Sequence, residues 1–505
     1  MKSASVRCLA LLLGGLAVAG TSFAQGTSNA TISGVVKDTS GGVLPGVTVE
    51  AASPVLTEGT RAAVSDERGE YRILELRPGT YTVTFTLAGF NTLKRDNIQL
   101  PPSFTATVNG DLSVGAMQET VTVSGGAPLI DTQNMTQQKV ISREVLDAVP
   151  TAKSALGIAA LMPSVVEPPN AQDVGGSKGE RSVRITVHGS KTIDSRQLQD
   201  GMRYNALTPG IGAPFNATSL EGTGRGYYVN PLGAQEIIID VGTMGSSEYE
   251  YGGAQVNAIK KDGGSVFSGS FFVGGTGHSL QANNLTQELQ DLGLTSVNTV
   301  RQVYDFNGTV SGPIVKNRVW FLADARRWGT QTSAANLYAD ANLGARAVAS
   351  SAASWLYAPS LSHPIYPSEI DKAAGVRLTF QATGSNKLTF SYDTQKNFQD
   401  QLTGQLETGT IKNEANGGYC QRQDLTQATW SHPASRFLVD GGVTVSRFNF
   451  SQFGEDLFLS DYVRCGGGNP ENVSINDTTL GYTYNGSGSR ALSLSHQTNG
   501  RFSVS

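Results

Sequence analysis

The second half of the chain alternates apolar and polar residues along stretches of about ten residues that are joined in pairs by short turns. Apolar side chains occupy every second position in residues 376–380 and again in residues 388–392, and the turn Ala382-Thr383-Gly384-Ser385-Asn386 separates the two stretches. Alternation at period two predicts antiparallel strands with one apolar face and one polar, charged face.

Two further pairs of stretches follow the same rule. One pair covers residues 304–310 and 319–323 around a predicted tight turn at Ser311-Gly312-Pro313, and another covers residues 425–430 and 437–445 around Pro433. The connections between pairs are long and fall near 276–299, 330–372, 395–423 and 451–488. Short turns at one end and long loops at the other are typical of a transmembrane β-barrel, while a soluble β-sandwich remains the alternative.

Composition excludes several other classes. The chain has 505 residues with 38 Lys and Arg against 42 Asp and Glu, and no basic block, so nucleic acid is not an expected partner. No run of about 18 apolar residues is present, so no membrane-spanning helix is expected. The length predicts more than one domain.

The N-terminus predicts export. Lys2 and Arg7 precede an apolar stretch over residues 9–20, and small residues stand before a predicted cleavage between Ala24 and Gln25. This order is that of a cleavable secretory signal over residues 1–24, with a buried N-terminal helix as the alternative. Cleavage leaves Cys420 and Cys465, which predict one disulfide in an oxidising compartment or, alternatively, two free thiols.

Residues 31–110 contain short strands between closely spaced turns, which predicts a small β-sandwich. The segments that carry a resemblance are Gly34-Val35-Val36, Gly46-Val47-Thr48-Val49, Gly69-Glu70-Tyr71 and Leu76-Arg77-Pro78-Gly79-Thr80-Tyr81. They resemble the carboxypeptidase regulatory-like domain, which implies a transthyretin-like fold related to carbohydrate-binding-like folds over residues 28–112. The five histidines are widely separated and form no zinc motif, so neither a peptidase nor a metal site is expected.

Residues 111–264 predict a mixed α+β unit. Helices are expected at 142–149, with Ser142 as N-cap, and at 154–162. Strands are expected at 119–123, 183–187, 197–204, 236–240 and 255–259. Asp200-Gly201 is interpreted as a turn.

This unit resembles the plug domain of TonB-dependent outer-membrane receptors. The resemblance rests on Val121-Thr122-Val123-Ser124-Gly125, Leu198-Gln199-Asp200-Gly201-Met202, Glu248-Tyr249-Glu250-Tyr251-Gly252 and the run 256–264, with mild departures at Ala258 and Lys261. The run from Ser311 to Phe321 also resembles a signature of Oar-like receptors of this class.

The resemblance implies a mainly β protein in three parts: the sandwich, a plug over residues 113–264, and part of an antiparallel transmembrane β-barrel over residues 265–505. About eight strands are countable, whereas barrels of this class have 22 strands around a plug, so a longer protein is expected. The implied function is ligand uptake across the outer membrane by plug gating. The alternative is a non-transporting surface or periplasmic ligand-binding protein, with carbohydrate as a candidate ligand.

The implied partners are the periplasmic TonB energy-coupling complex, outer-membrane lipid and an unidentified small or oligomeric ligand. The candidate TonB-contact segment is an extended stretch near the start of the plug, with an ordinary linker strand as the alternative. It consists of Glu119, Thr120, Val121, Thr122 and Val123. In this arrangement Cys420 and Cys465 lie on two different outer loops, where a disulfide would fix them.

No motif proposes a reaction, and no cofactor is expected. Gly175-Gly176-Ser177-Lys178-Gly179 matches the nucleophile pattern G-x-S-x-G without a strand-to-helix elbow, so a loop is the better interpretation. Residues 222–226 are glycine-rich without the strand and helix of a phosphate loop. The sequence therefore predicts a receptor or binding protein and not an enzyme.

Overall fold

The computed structural model describes most of the chain between residues 30 and 504. The described ranges are 30–56, 59–77, 79–100, 104–115, 120–124, 138–141, 143–148, 165–166, 186–187, 196–204, 229–240, 254–294, 297–333, 338–342, 356–366, 368–399, 419–433, 437–452, 475–479, 482–484 and 491–504. Within them, no helix is long and apolar enough to cross a membrane.

The N-terminal part is a sandwich of two sheets. The strands are β1 (Ala30–Asp38), β2 (Thr48–Ala52), β3 (Thr60–Val64), β4 (Glu70–Leu76), β5 (Gly79–Thr86), β6 (Thr92–Leu100), β7 (Thr105–Thr107), β8 (Gly110–Leu112) and β9 (Thr120–Ser124). One sheet has β1 at its centre, paired with β4, β7 and β8, and the other has the order β3-β2-β5-β6-β9. The predicted sandwich is therefore present, with β9 as an added fifth strand of the second sheet.

Apolar side chains from both sheets form one core between them. The rings of Tyr71 and Phe85, one from each sheet, meet edge to face with centroids 5.6 Å apart. The Tyr71 hydroxyl donates to the carbonyl oxygen of Val108. Burial raises the pKa of the Tyr71 hydroxyl, which therefore stays protonated and able to donate. Gly34 lies against this same carbonyl, and only a residue without a Cβ fits there.

The middle part is built on a five-stranded sheet of order β10-β15-β16-β13-β14. Its elements are β10 (Gln138–Ile141), α1 (Arg143–Ala148), the small pair β11 (Val165–Val166) and β12 (Thr186–Val187), β13 (Arg196–Gln199), β14 (Met202–Arg203), β15 (Ala234–Asp240) and β16 (Gln255–Lys260). A small apolar cluster packs β15 and β16 against α1. The predicted helix at 142–149 is confirmed as α1, whereas the helix expected at 154–162 and the N-cap Ser142 lie outside the described residues.

The single strand expected over residues 197–204 is wrong, because the chain turns back in the middle of it. Leu198 pairs with Arg203 and Gln199 with Met202, so β13 and β14 form a hairpin. Its turn is Asp200-Gly201, in which both residues have positive φ, 50° and 75°. Asp-Gly is favoured in such turns because both residues tolerate the left-handed region.

The C-terminal part is a meander of eight long strands. They are β17 (Ser268–Gly277), β18 (Thr299–Val315), β19 (Val319–Ser333), β22 (Ser368–Thr383), β23 (Asn386–Gln399), β24 (Tyr419–Pro433), β25 (Leu438–Gln452) and β28 (Ala491–Val504). Each strand pairs antiparallel with the next in chain order. The connections carry two small strand pairs, β20 (Tyr338–Asp340) with β21 (Pro359–Pro364) and β26 (Ile475–Asp477) with β27 (Tyr482–Tyr484), a 3₁₀ turn (His278–Leu280) and α2 (Gln287–Asp291).

The predicted strand pairs are confirmed, and the strands are longer than expected. Leu378 pairs with Phe390 and Phe380 with Leu388, as the alternation around residues 382–386 requires. The predicted turn at Ser311-Gly312-Pro313 is wrong, because these residues lie inside β18 and Pro313 pairs with Trp320. The chain turns later, at residues 316–318, where Asn317 has a φ of 59° and tolerates the left-handed region.

In the eight-stranded sheet, apolar side chains are exposed and polar side chains are buried, which is the reverse of a sheet in a soluble protein. In β22 the apolar Leu378 and Phe380 are 39% and 42% exposed, whereas Arg377 and Thr379 between them are 6% and 1% exposed. Buried polar side chains also occur in β18, β19, β23, β24 and β25, among them Asn307, Asp324, Asp393, Gln427 and Thr444, while the buried face of β19 also carries the apolar Trp320 and Leu322. A sheet that covers its polar face and presents its apolar face outward is suited to hydrocarbon and not to water.

The first prediction concerns the close packing at Gly34. We expect Gly34→Ala to destabilise the sandwich by about 2–3 kcal/mol, because the added Cβ would overlap the backbone carbonyl of Val108, which cannot move aside like a flexible side chain. Urea unfolding of residues 28–115, followed by tyrosine fluorescence, measures the change in the free energy of unfolding.

The matched control is Gly46→Ala. Gly46 has a φ of 78° and no atom near the position of an added Cβ, so this change introduces backbone strain of roughly 1 kcal/mol and no overlap. Equal losses of stability in the two variants would contradict the packing argument.

Candidate functional site

The candidate functional site is the polar interface where the middle sheet packs onto the buried face of the eight-stranded sheet. The middle sheet contributes the β13–β14 hairpin and the end of β16, and the eight-stranded sheet contributes inward-pointing side chains of β18 to β25. The contact includes hydrogen bonds and ion pairs, together with a small apolar cluster in which Tyr204 and Val229 of the middle part pack against Leu425 of β24.

A buried ion cluster is formed around Lys260, at the end of β16. Its ammonium group forms ion pairs with Asp393 of β23 and with Asp324 of β19, the latter at 3.5 Å. The Lys260 side chain is only 4% exposed. Burial opposes its charge, but the attraction of Asp393 and Asp324 outweighs burial, so the pKa of Lys260 is raised.

Hydrogen bonds continue the cluster on both sides. The amide of Gln199 donates to the carboxylate of Asp393 and to the side-chain oxygen of Gln427, both at 3.1 Å. On the other side, Asn230 donates to Asp324 at 2.9 Å and accepts from Asn307 at 2.7 Å. Each carboxylate that pairs with Lys260 therefore also accepts a hydrogen bond from an amide of the middle part, which is how buried charges are tolerated.

A second ion cluster surrounds Asp262, two residues after β16. Its carboxylate pairs with Arg377 of β22 and with Lys387 of β23, each at 2.7 Å. It also pairs with Arg77, which lies in the turn between β4 and β5 of the sandwich. All three parts of the chain thus meet at one buried carboxylate.

A cavity of about 120 Å³ lies at this junction and is lined by charged residues of both signs. Among them are Arg77, Asp200, Asp262, Arg377 and Lys387. Asp200 pairs with Arg377 and also accepts a hydrogen bond from the backbone N–H of Lys260 at 3.1 Å. Opposite charges are evenly mixed here, and no cluster of His, Cys, Asp and Glu suited to a metal ion occurs in the described part of the chain.

The residues singled out from the sequence have separate positions. Thr120, Val121, Thr122 and Val123 lie in β9, paired with the sandwich, whereas Glu119 is outside the described residues. Cys420 is disulfide-bonded and buried, but it is the second residue of β24 and not on a loop, which corrects its predicted position. Cys465, Ala24, Gln25 and the glycine-rich stretches 175–179 and 222–226 lie outside the described residues.

Sequence reasoning did not identify the ion clusters. Lys260 and Asp262 stand in the run of residues matched to the plug, and Arg377 and Asp393 stand on the predicted polar face, but no role was assigned to them. The signal in the sequence is that full charges such as Arg377 and Asp393 stand on the face of the strands that the predicted plug would cover.

Comparison with known proteins agrees with this architecture. Residues 31–113 match the carboxypeptidase regulatory-like domain family. The chain is 29% identical over 313 residues to the TonB-dependent transporter Oar of Myxococcus xanthus, a match that covers 61% of this chain and 27% of Oar. The chain therefore spans about a quarter of the length of this relative.

Two solved structures are among those to which the chain is similar. The siderophore receptor PirA from Acinetobacter baumannii matches with a TM-score of 0.45 and 15% identity, covering 72% of this chain and 44% of the receptor. The outer membrane transporter YddB from Escherichia coli matches with a TM-score of 0.45 and 12% identity, covering 66% of this chain and 43% of the transporter.

Over 313 residues the chain is therefore similar to a TonB-dependent transporter, in agreement with the resemblance seen in its sequence. The mainly β fold class predicted from the sequence is confirmed. We refer below to the middle part as the plug and to the eight-stranded sheet as the barrel wall, the names that the sequence resemblance implies for them.

The second prediction tests the buried cluster between plug and wall. Lys260→Met leaves Asp393 and Asp324 buried without their cation, so we expect the plug to lose about 3–5 kcal/mol of stability. The measurement is the urea midpoint of plug unfolding, followed by tryptophan fluorescence in the full-length protein in detergent micelles.

The same substitution at an exposed pair is the control. Lys94 pairs with Asp96 at 3.3 Å in the sandwich, and its side chain is 41% exposed. Exposed pairs contribute little, so Lys94→Met is expected to leave the urea midpoint of the plug unchanged. A midpoint that Lys260→Met also leaves unchanged would show that the cluster does not hold the plug.

Proposed function

We propose that this chain is the N-terminal part of an outer-membrane receptor that takes up a ligand by TonB-driven movement of its plug. The observation that carries the proposal is the polar plug seated on the covered face of a sheet whose other face is apolar. This arrangement separates a lipid-facing surface from a water-compatible interior.

The polar character of the interface supports plug movement. Hydrogen bonds and ion pairs between plug and wall are exchangeable for hydrogen bonds to water, so breaking them does not expose apolar surface. The cluster of Tyr204, Val229 and Leu425 is an apolar part of the interface. If the interface were apolar over the same area, moving the plug would expose that apolar surface to water, which is unfavourable. The Lys260 and Asp262 clusters would hold the plug at rest and allow a force-driven opening.

The domain limits predicted from the sequence fit this proposal. The signal peptide over residues 1–24 would direct export, residues 28–112 would form the accessory sandwich, residues 113–264 the plug and residues 265–505 the first part of the barrel. The disulfide of Cys420 would link the N-terminal end of β24 to a long outer loop, with Cys465 as the proposed partner.

The coupling partner in this proposal is the periplasmic domain of TonB, which would bind residues 119–123 by strand addition. The ligand class is left open among siderophores, oligosaccharides, peptides and cobalamin. The carbohydrate-binding-like fold implied for the sandwich favours glycans by analogy alone.

The third prediction separates this function from the alternative of a non-transporting periplasmic binding protein. We expect the full-length protein to stay in the membrane fraction after carbonate extraction, because a closed barrel remains in the bilayer. We also expect its gel mobility to change on heating, because a closed barrel stays folded until it is boiled. Release into the carbonate wash would support the periplasmic alternative.

The fourth prediction tests the coupling segment. Val121→Pro removes a backbone N–H and fixes φ, so we expect it to abolish capture of the full-length receptor by the immobilised periplasmic domain of TonB. Val121→Ala keeps the N–H and is expected to retain capture. Equal capture of both variants would show that another segment makes the contact.

A further inference from the structure

The candidate coupling segment is not free in this structure, because β9 belongs to the sheet of the sandwich. Thr120–Ser124 runs parallel to β6, with Thr92 opposite Thr120, Lys94 opposite Thr122 and Asp96 opposite Ser124. The pairing is continuous over the whole of β9 and has no register shift. β9 is separated along the chain from the rest of this sheet by β7 and β8, which belong to the opposite sheet.

The chain just before β9 is also fixed to the sandwich. The backbone N–H of Asn91 donates to the carbonyl oxygen of Ser113 at 2.9 Å, and the N–H of Gly115 donates to that of Gly89 at 3.2 Å. Phe90 and Val114 form a bridge between these two bonds. Residues 113–115 are thereby held at the start of β6, which places the following strand beside it.

The sandwich is in turn attached to the barrel wall. Tyr81 is buried in the sandwich core, and its hydroxyl donates to the carbonyl oxygen of Arg77 at 2.7 Å, which fixes the turn that carries Arg77. Arg77 pairs with Asp262, and Asp262 pairs with Arg377 and Lys387 of the wall strands. A force on β9 in this state is therefore shared with β6 and, through Arg77, with the C-terminal end of the plug that Asp262 holds against the wall, so it does not act on the N-terminal edge of the plug alone.

From this arrangement we propose that the accessory sandwich is an autoinhibitory latch on the coupling segment: β9 must leave β6 before TonB can bind it productively and pull the plug. The inference rests on the proposed function, in which this segment is the TonB contact. It assigns the sandwich a role in controlling energy coupling, separate from ligand binding.

The test is a reversible covalent lock between β6 and β9. Lys94→Cys with Thr122→Cys places two cysteines at directly opposed positions, within the Cα separation that a disulfide needs. Lys94→Cys with Ser124→Cys is the matched control, since an offset of two residues, about 6.6 Å along the strand, puts the pair out of reach. Both pairs are made in the full-length receptor in detergent micelles, where the periplasmic side is accessible, and the probe is the purified periplasmic domain of TonB.

We expect the opposed pair to cross-link and the offset pair to stay reduced. The oxidised lock is expected to weaken TonB binding at least about tenfold, because it removes the released state that binds, and reduction is expected to restore binding. The unmodified receptor with and without reductant controls for the native disulfide of Cys420.

Two results would overturn the latch while leaving the proposed function in place. One is failure of the opposed pair to cross-link, and the other is equal binding of TonB by the locked and reduced forms, which would show that TonB adds to the outer edge of β9 without releasing it. If the unmodified receptor fails to bind TonB at all, the proposed coupling segment itself is wrong and the latch is rejected with it.

Discussion

The structure depends on how the polar and charged side chains on the covered face of the barrel wall find hydrogen-bond and ion-pair partners. Full charges such as Asp393 and Arg377 point inward, and burying them unpaired would cost several kcal/mol each. The plug supplies their partners through Lys260, Asp262 and Asp200. The outer face of the same strands is apolar, so the two faces require different surroundings. The plug provides the polar surroundings of the inner face.

The same constraint explains which parts of the fold follow from the sequence. Alternation at period two predicts the eight strands and pairs such as Leu378 with Phe390, because a shift of one residue would exchange the two faces. The Asp200-Gly201 turn follows from local turn chemistry. Such features depend on neighbouring residues, so one sequence is enough to predict them.

Other features depend on contacts between distant residues and were not predictable. Gly312 and Pro313 are turn-forming residues, yet they lie inside β18 because its pairing with β19 continues past them to Val315. Asp393 meets Lys260 only after the plug is seated, and nothing near either residue in sequence identifies the partner. The pairing of β9 with β6 is of the same kind, since its sequence fits a linker strand equally well.

Asp262 limits how the proposed opening can proceed. It follows β16 directly and precedes the first wall strand β17, and moving it would leave Arg377 and Lys387 of the wall without this carboxylate. The C-terminal end of the plug is therefore its most firmly held end. By contrast, β10 is the edge strand of the plug sheet, it pairs only with β15 within that sheet, and it is the first strand of the sheet after β9. A pull that arrives through β9 would act on β10 first, so the plug would open from its N-terminal edge while β16 stays against the wall.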